Sequence, residues 1–237
     1  MSTEHRLIPS RTGVLGKHPR FGDFIWAGLP EDVLRPLSDW MGATFGVWRD
    51  AAGAGWESTF DAAPAIRFWL GAEVNNGHSL RGVWRASQDR SGRRFPLVLV
   101  QEGGAAPAIE PDQGFYDHAD ALLLDWLGTG DFDPKIAVEG AVSALADFVR
   151  DMPSASVPAQ SGFWAKNPTL GGAALWADLS DVDHNHATLA RSYWWFSVGQ
   201  GATAVAVVQG WPDAGLLGWL LGHAPAPCEP PADGEQT

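Results

Sequence analysis

The most constraining stretch of this chain is Gln88–Gln101, QDRSGRRFPLVLVQ. Its second half, Phe95–Val100, is an almost unbroken aliphatic run. A run of this length without polar alternation predicts a strand buried on both faces. Its first half carries Asp89, Arg90, Arg93 and Arg94 around the turn signal Ser91-Gly92, which predicts a cationic loop at the strand's entrance. A charged turn feeding a central strand is a local conflict of the kind that marks a functional or strained position.

A buried central strand needs elements on both sides of it. The periodicity along the chain supplies them. Val14-Leu15 predicts a short strand, Gly16–Gly22 a loop, and Phe24-Ile25-Trp26 a return to extended structure. Lys17, Arg20 and Asp23 are expected to be exposed on that loop. Val33, Leu34, Leu37, Trp40, Met41, Phe45 and Trp48 recur at three- and four-residue spacing and predict a long amphipathic helix. Pro36 lies inside this pattern, so the long helix is expected to begin near it. A short helix over 56–63 and strands over 65–70 and 80–86 follow, separated by the turn EVNNGHS. Past a Gly/Ala/Pro loop at 103–111, helices are predicted over 112–127 and 134–149. Strands are predicted over 162–166, 173–179, 191–198 and 202–208. The last two are joined as a hairpin through Gly199-Gln200-Gly201, and a short helix follows over 213–221. The expected fold is α/β: a mixed central sheet flanked by helices in a three-layer sandwich. Its parts are a flexible arm (1–12), an α/β region (13–104), a second α/β part packed on the first in one globular domain (105–222), and a disordered tail (223–237) rich in Pro and charge.

Charge limits the function. The formal net charge is −12, which argues against a general nucleic-acid binder. The imbalance lies late in the chain. Residues 1–101 hold 12 Lys and Arg against 10 Asp and Glu, whereas residues 102–237 hold 4 against 18. No 18-residue apolar run predicts a membrane span, and no apolar leader is visible. Cys228 is the single cysteine, so no internal disulfide or cysteine metal site is expected. These features predict a cytoplasmic protein. The 13 tryptophans predict a core in which indole N–H groups need acceptors, and Tyr193-Trp194-Trp195-Phe196 is read as part of that core.

Catalytic patterns are incomplete. Gly13-Val14-Leu15-Gly16-Lys17 is spaced wrongly for a phosphate loop and is followed by His18 rather than Ser or Thr. No G-x-S-x-G elbow occurs, and Cys228 lies in the tail. Asp181, Asp183, His184, Asn185 and His186 are metal-capable but also suit turn chemistry. No cofactor is expected.

Three segments carry a family likeness: GVLGKHPRFGDFIWAGLP at 13–30, LSDWMGATF at 37–45, and APAIRFWL (63–70) with GVWRASQDRSGRRFPLVLV (82–100). Their order and spacing resemble the N-terminal domain of the TagF/ImpM family of type VI secretion-associated proteins, over about residues 13–101. The resemblance implies a cytoplasmic α/β protein acting as a non-enzymatic accessory and negative post-translational regulator of the secretion machine. It implies a forkhead-associated-domain scaffold protein as the partner.

The candidate binding residues are Lys17, Arg20 and Asp23 on one loop and Asp89, Arg90, Arg93 and Arg94 on the other. If the sheet brings the loops together, they form a polar surface for a partner, or a site for a small anionic ligand such as a nucleotide, since arginine binds carboxylate or phosphate at two points. The competing reading is an internal ion-pair network, Asp23 with Arg90 or Asp89 with Arg20, that fixes the two loops.

Overall fold

In the computed structural model, the described residues are 11–148, 184, 187–198 and 202–222. They form one seven-stranded sheet. In chain order its strands are β1 (Thr12–Gly16), β2 (Ile25–Ala27), β3 (Ile66–Leu70), β4 (Leu80–Arg85), β5 (Leu97–Glu102), β6 (Arg191–Val198) and β7 (Ala202–Gln209). Across the sheet the order is β2-β1-β5-β4-β3-β6-β7. The expected α/β architecture with helices on both faces of a central sheet is observed, and every strand pairing is antiparallel.

Period-two alternation divides the side chains between two cores. On one face Leu15, Val98, Val100, Trp84, Phe68 and Trp194 meet α1 (Glu31–Ala52), α2 (Trp56–Asp61) and α5 (Ala214–Leu220). On the other, Val14, Leu99, Val83, Trp69 and Trp195 meet α3 (Gly114–Gly128) and α4 (Pro134–Ala144). The QDRSGRRFPLVLVQ stretch supplies β5, whose Leu97, Val98, Leu99 and Val100 are all buried. Its apolar run is thus a strand between two helical layers, as its lack of alternation predicts.

Helix ends follow local chemistry. Asp133 caps α4 by accepting from Lys135 N–H at 2.9 Å and Ile136 N–H at 3.2 Å, with Pro134 at the first position. α1 departs from expectation. It starts at Glu31 and continues through Pro36, where a break was expected. The proline removes one backbone donor, but Val33, Leu34 and Leu37 around it are buried against the sheet, and that packing holds the helix in register. The helix expected over 134–149 ends earlier, at Ala144, and a 3-10 turn, Ala146–Phe148, follows.

Four tryptophans find acceptors, whereas the buried Trp84 Nε1 has none among the described residues. Trp40 Nε1 donates to Pro212 O at 2.7 Å, Trp69 Nε1 to Gly104 O at 3.0 Å, Trp194 Nε1 to Ser192 Oγ at 2.9 Å and Trp195 Nε1 to Gln113 Oε1 at 2.8 Å. The strands expected over 162–166 and 173–179, the Gly199-Gln200-Gly201 link, the arm up to residue 10 and the tail from 223 lie outside the described residues. So does the Asp181–His186 loop apart from the exposed His184.

Candidate functional site

β1 and β5 are antiparallel neighbours, and Gly16 faces Leu97 across the ladder. The loop leaving β1 and the loop entering β5 therefore emerge at the same end of the sheet. This topology brings together two polar turns far apart in sequence. Gly16 makes the contact possible: at φ +120°, a Cβ there would lie 1.9 Å from Pro96 O. Beside it, Lys17 N–H donates to Pro96 O at 3.2 Å. Arg90 N–H donates to Phe21 O at 2.8 Å, and Ser87 Oγ–H to Lys17 O at 2.7 Å.

Asp89 is the hub. Its side chain is buried, with Lys17 Nζ 3.0 Å and Arg93 Nε 2.7 Å from Oδ2. Oδ1 accepts the backbone N–H groups of Ser91 at 2.9 Å and Arg93 at 3.0 Å. Burial pushes this carboxyl up, but the bonds from Arg93, Lys17 and Ser91 outweigh it and hold the group far below the usual carboxylate range. Arg93 also reaches across to Gly22 O at 2.6 Å. The two loops are thus clamped by one ionised carboxylate.

Lys17 was expected on the surface but is only 7% exposed. The clamp takes its ammonium inward, and its Nζ also lies 5.2 Å from the Phe24 ring centroid. The ion pairs expected between Asp23 and Arg90, or Asp89 and Arg20, give way to other partners. Arg20 NH1 bonds Gly130 O at 2.6 Å and Asp131 Oδ1 at 2.9 Å. Asp23 accepts the Phe24 N–H at 2.8 Å and stays exposed. Arg94 leaves the group altogether. It points to α2, where it forms two bonds to Asp61 at 2.9 and 2.8 Å and an ion pair to Glu57 at 3.1 Å.

The solvent face of the clamp therefore carries Arg20, Asp23, Arg90 and Arg93. Arg90 is exposed, and its guanidinium makes no ion pair among the described residues. The other four cations considered for an anionic ligand, Lys17, Arg20, Arg93 and Arg94, are each paired with a carboxylate of the chain.

His18 fixes the third side of the site, and sequence reasoning did not single it out. Its ring is 2% exposed and stacks on Phe132 at 4.2 Å. Nδ1 accepts the Arg20 N–H at 3.2 Å, so Nε2 carries the proton and donates to Trp126 O at 2.9 Å. Burial lowers its pKa below the ordinary histidine value, the bond to Trp126 opposes this, and the Arg20 charge adds to the lowering. Phe24 and Trp26 are the other residues missed, at 41% and 39% exposure. They flank the buried Ile25 in β2, a period-two signal that places two aromatics on the same side.

Among the described residues, no group of three or more His, Cys, Asp and Glu side chains is arranged to hold a metal ion. No helix among them is long and apolar enough to cross a membrane.

Residues 13–136 match the family model described as the TagF N-terminal domain, type VI secretion system-associated. The chain superposes on the crystal structure of PA0076 from Pseudomonas aeruginosa PAO1 with a TM-score of 0.65 at 26% identity, covering 94% of this chain and 100% of that one. No curated protein matches it.

Proposed function

The chain belongs to the TagF family of type VI secretion-associated proteins, and from that premise we propose that it is a cytoplasmic, non-enzymatic regulator of the secretion machine. It restrains the machine after its components are made, by binding a forkhead-associated-domain scaffold protein. The observation that carries this reading is the Asp89 clamp. The groups at the site that resemble catalytic ones are saturated by the chain itself: Lys17 and Asp89 by each other, His18 by Trp126 and the Arg20 backbone. The clamp holds rigid an exposed face bearing Arg20, Asp23, Arg90 and Arg93. Rigid arginine-bearing loops suit recognition of a protein surface, because little side-chain and loop freedom is lost on binding.

Arg90→Glu is the clean test, because among the described residues Arg90 carries no ion pair whose loss would unfold the loops. The melting temperature is expected to stay unchanged, while capture of the cognate scaffold is lost and secretion is released from restraint. Scaffold that is not captured by the wild-type protein, or secretion unaltered by its deletion and overproduction, overturns the proposal.

A further inference from the structure

The two helical layers cover the sheet unevenly. On the α1 side, α5 carries coverage out to β6, and at the other rim α1 packs on β1. On the opposite face, α4 packs on both β1 and β2. Ile25 of β2 is therefore buried, whereas Phe24 and Trp26, turned the other way, keep 41% and 39% of their surface in solvent. Phe24 lies edge-on to Phe95 at 4.7 Å, which holds its ring in place. Beyond it, Trp26, Ala27, Leu29 and Glu31 line an open groove of ≈330 Å³.

β2 is also the last strand of the sheet, and among the described residues nothing pairs with its outer edge. Edge strands are ordinarily guarded by lysine, proline or inward-pointing charge. This one is short, at three residues, but it displays Trp26 on the strand and Phe24 just before it. Arg90, a cation of the candidate site with no ion pair among the described residues, sits at its entrance: Arg90 NH2 lies beside Gly22, two residues before Phe24. Tryptophan and arginine in a rigid setting are the residue types that dominate interface energetics.

We propose that the β2 edge is a docking site for an extended, acidic segment of a partner protein, which adds to the sheet as an eighth strand. Its backbone pairs with the free N–H and C=O groups of β2, its apolar side chains lie on Phe24 and Trp26, and a carboxylate meets the Arg90 guanidinium. Main-chain pairing supplies affinity in such strand addition, and the aromatic shelf and arginine supply selectivity. The proposal rests on the reading that this chain acts by binding a protein, and it names the mode of binding.

The probe is a short labelled peptide alternating valine and glutamate, with a valine–lysine peptide as the control. Binding is measured by fluorescence anisotropy to the full chain, and amide hydrogen exchange is followed in parallel. The glutamate peptide is expected to bind, the lysine peptide to fail, and the amides of residues 25–27 to gain protection. Trp26→Ala and Arg90→Glu, both checked for unchanged melting, are each expected to weaken binding about tenfold. Equal binding of the two peptides, absence of binding, protection confined to other strands, or indifference to both substitutions overturns the proposal. The forkhead-associated scaffold is tested separately. If it binds without protecting β2, the docking site falls and the regulatory reading stands. If the peptide binds β2 and the scaffold does not bind at all, the reverse holds.

Discussion

At the scale of single residues, the candidate site is governed by two buried titratable groups with opposite requirements. Asp89 must be ionised. Its native pKa lies far below the value near 3.9 expected in the unfolded chain, so its contribution to stability is complete above that value and is lost as pH falls through it toward the native pKa. Asp89→Asn keeps the shape but discards the charge that Lys17 and Arg93 meet. It is expected to lower the melting temperature at pH 7 and to converge on the wild type as pH drops below about 4. A constant difference at all pH values would show that the charge is not what matters. His18 must stay neutral, since protonating Nδ1 would break its bond with the Arg20 N–H and place a cation beside Arg20. With its native pKa lowered, the unfolded chain takes up the proton first. Stability is then expected to fall as pH drops below about 6.5, by at most about 1.4 kcal/mol per pH unit. His18→Gln should flatten that slope between pH 7.5 and 5.5 in thermal melts (roughly the window set by the ordinary histidine pKa). Asp89 was visible in the sequence as a charge beside a turn. Its burial was not, because the cations that permit it lie on a second loop and past a tight turn. His18 was hidden for a like reason: its acceptor, Trp126 O, is 108 positions away.

At the scale of elements, local pattern read well where one element faces one core. β5 was legible because both its faces are buried, and α1 because its apolar stripe is long. Pro36 hides where α1 starts, since the tertiary packing of Val33, Leu34 and Leu37 overrides its poor helix propensity. Replacing it restores a backbone donor in the second turn. Pro36→Ala is expected to stabilise the protein by about 2–2.5 kcal/mol, the usual helix-interior penalty less the unfolded-state entropy that proline removes. Chemical denaturation would measure it, and a destabilised variant would mean that the proline ring itself packs. Gly82 sets the opposite constraint. It lies in β4, where a Cβ would stand 2.5 Å from Leu99 O and 2.6 Å from the Phe68 ring. The phenyl ring occupies the space a side chain would need, so Gly82→Ala is expected to cost about 1–3 kcal/mol through forced rearrangement of the core. An unchanged denaturation midpoint would contradict this close approach.

At the scale of the whole molecule, the acidic later part of the chain is not set beside the earlier part but woven into its sheet. β6 pairs with β3 from Arg67↔Trp195 to Leu70↔Ser192. Trp194 stacks on Phe68 at 5.2 Å and meets Trp40 of α1 at 4.8 Å. On the opposite face, Trp195 and Arg67 share the Gln113 carboxamide, at 2.8 and 3.0 Å. The sequence offered a charge boundary near residue 101 and a Gly/Ala/Pro loop after it, which suggested two parts. The pairing partner of β3 was not readable, because any of several apolar strands satisfies the same pattern and long-range register leaves no local mark. The matched family segment, residues 13–136, likewise ends before β6. Within it, β3 nonetheless pairs with β6. A chain ending at residue 148 would expose the long apolar edge of β3 and uncover Phe68 and Trp40 together, so it is expected to aggregate or lose cooperative unfolding rather than persist as a smaller folded unit. Within the full chain, Trp194→Ala removes the same bridge more gently and is expected to cost about 3–5 kcal/mol in stability, the range for truncating a buried aromatic. Because the Asp89 clamp stands on β1 and β5, two strands away from β3, that loss should appear first as global unfolding on heating. Peptide or scaffold binding at room temperature should be retained for as long as the sheet remains folded. A truncated chain that melts cooperatively and binds with full affinity would show instead that the clamp and the five earlier strands, the β2 edge among them, are self-sufficient, and that β6 and β7 serve a purpose other than closing the sheet.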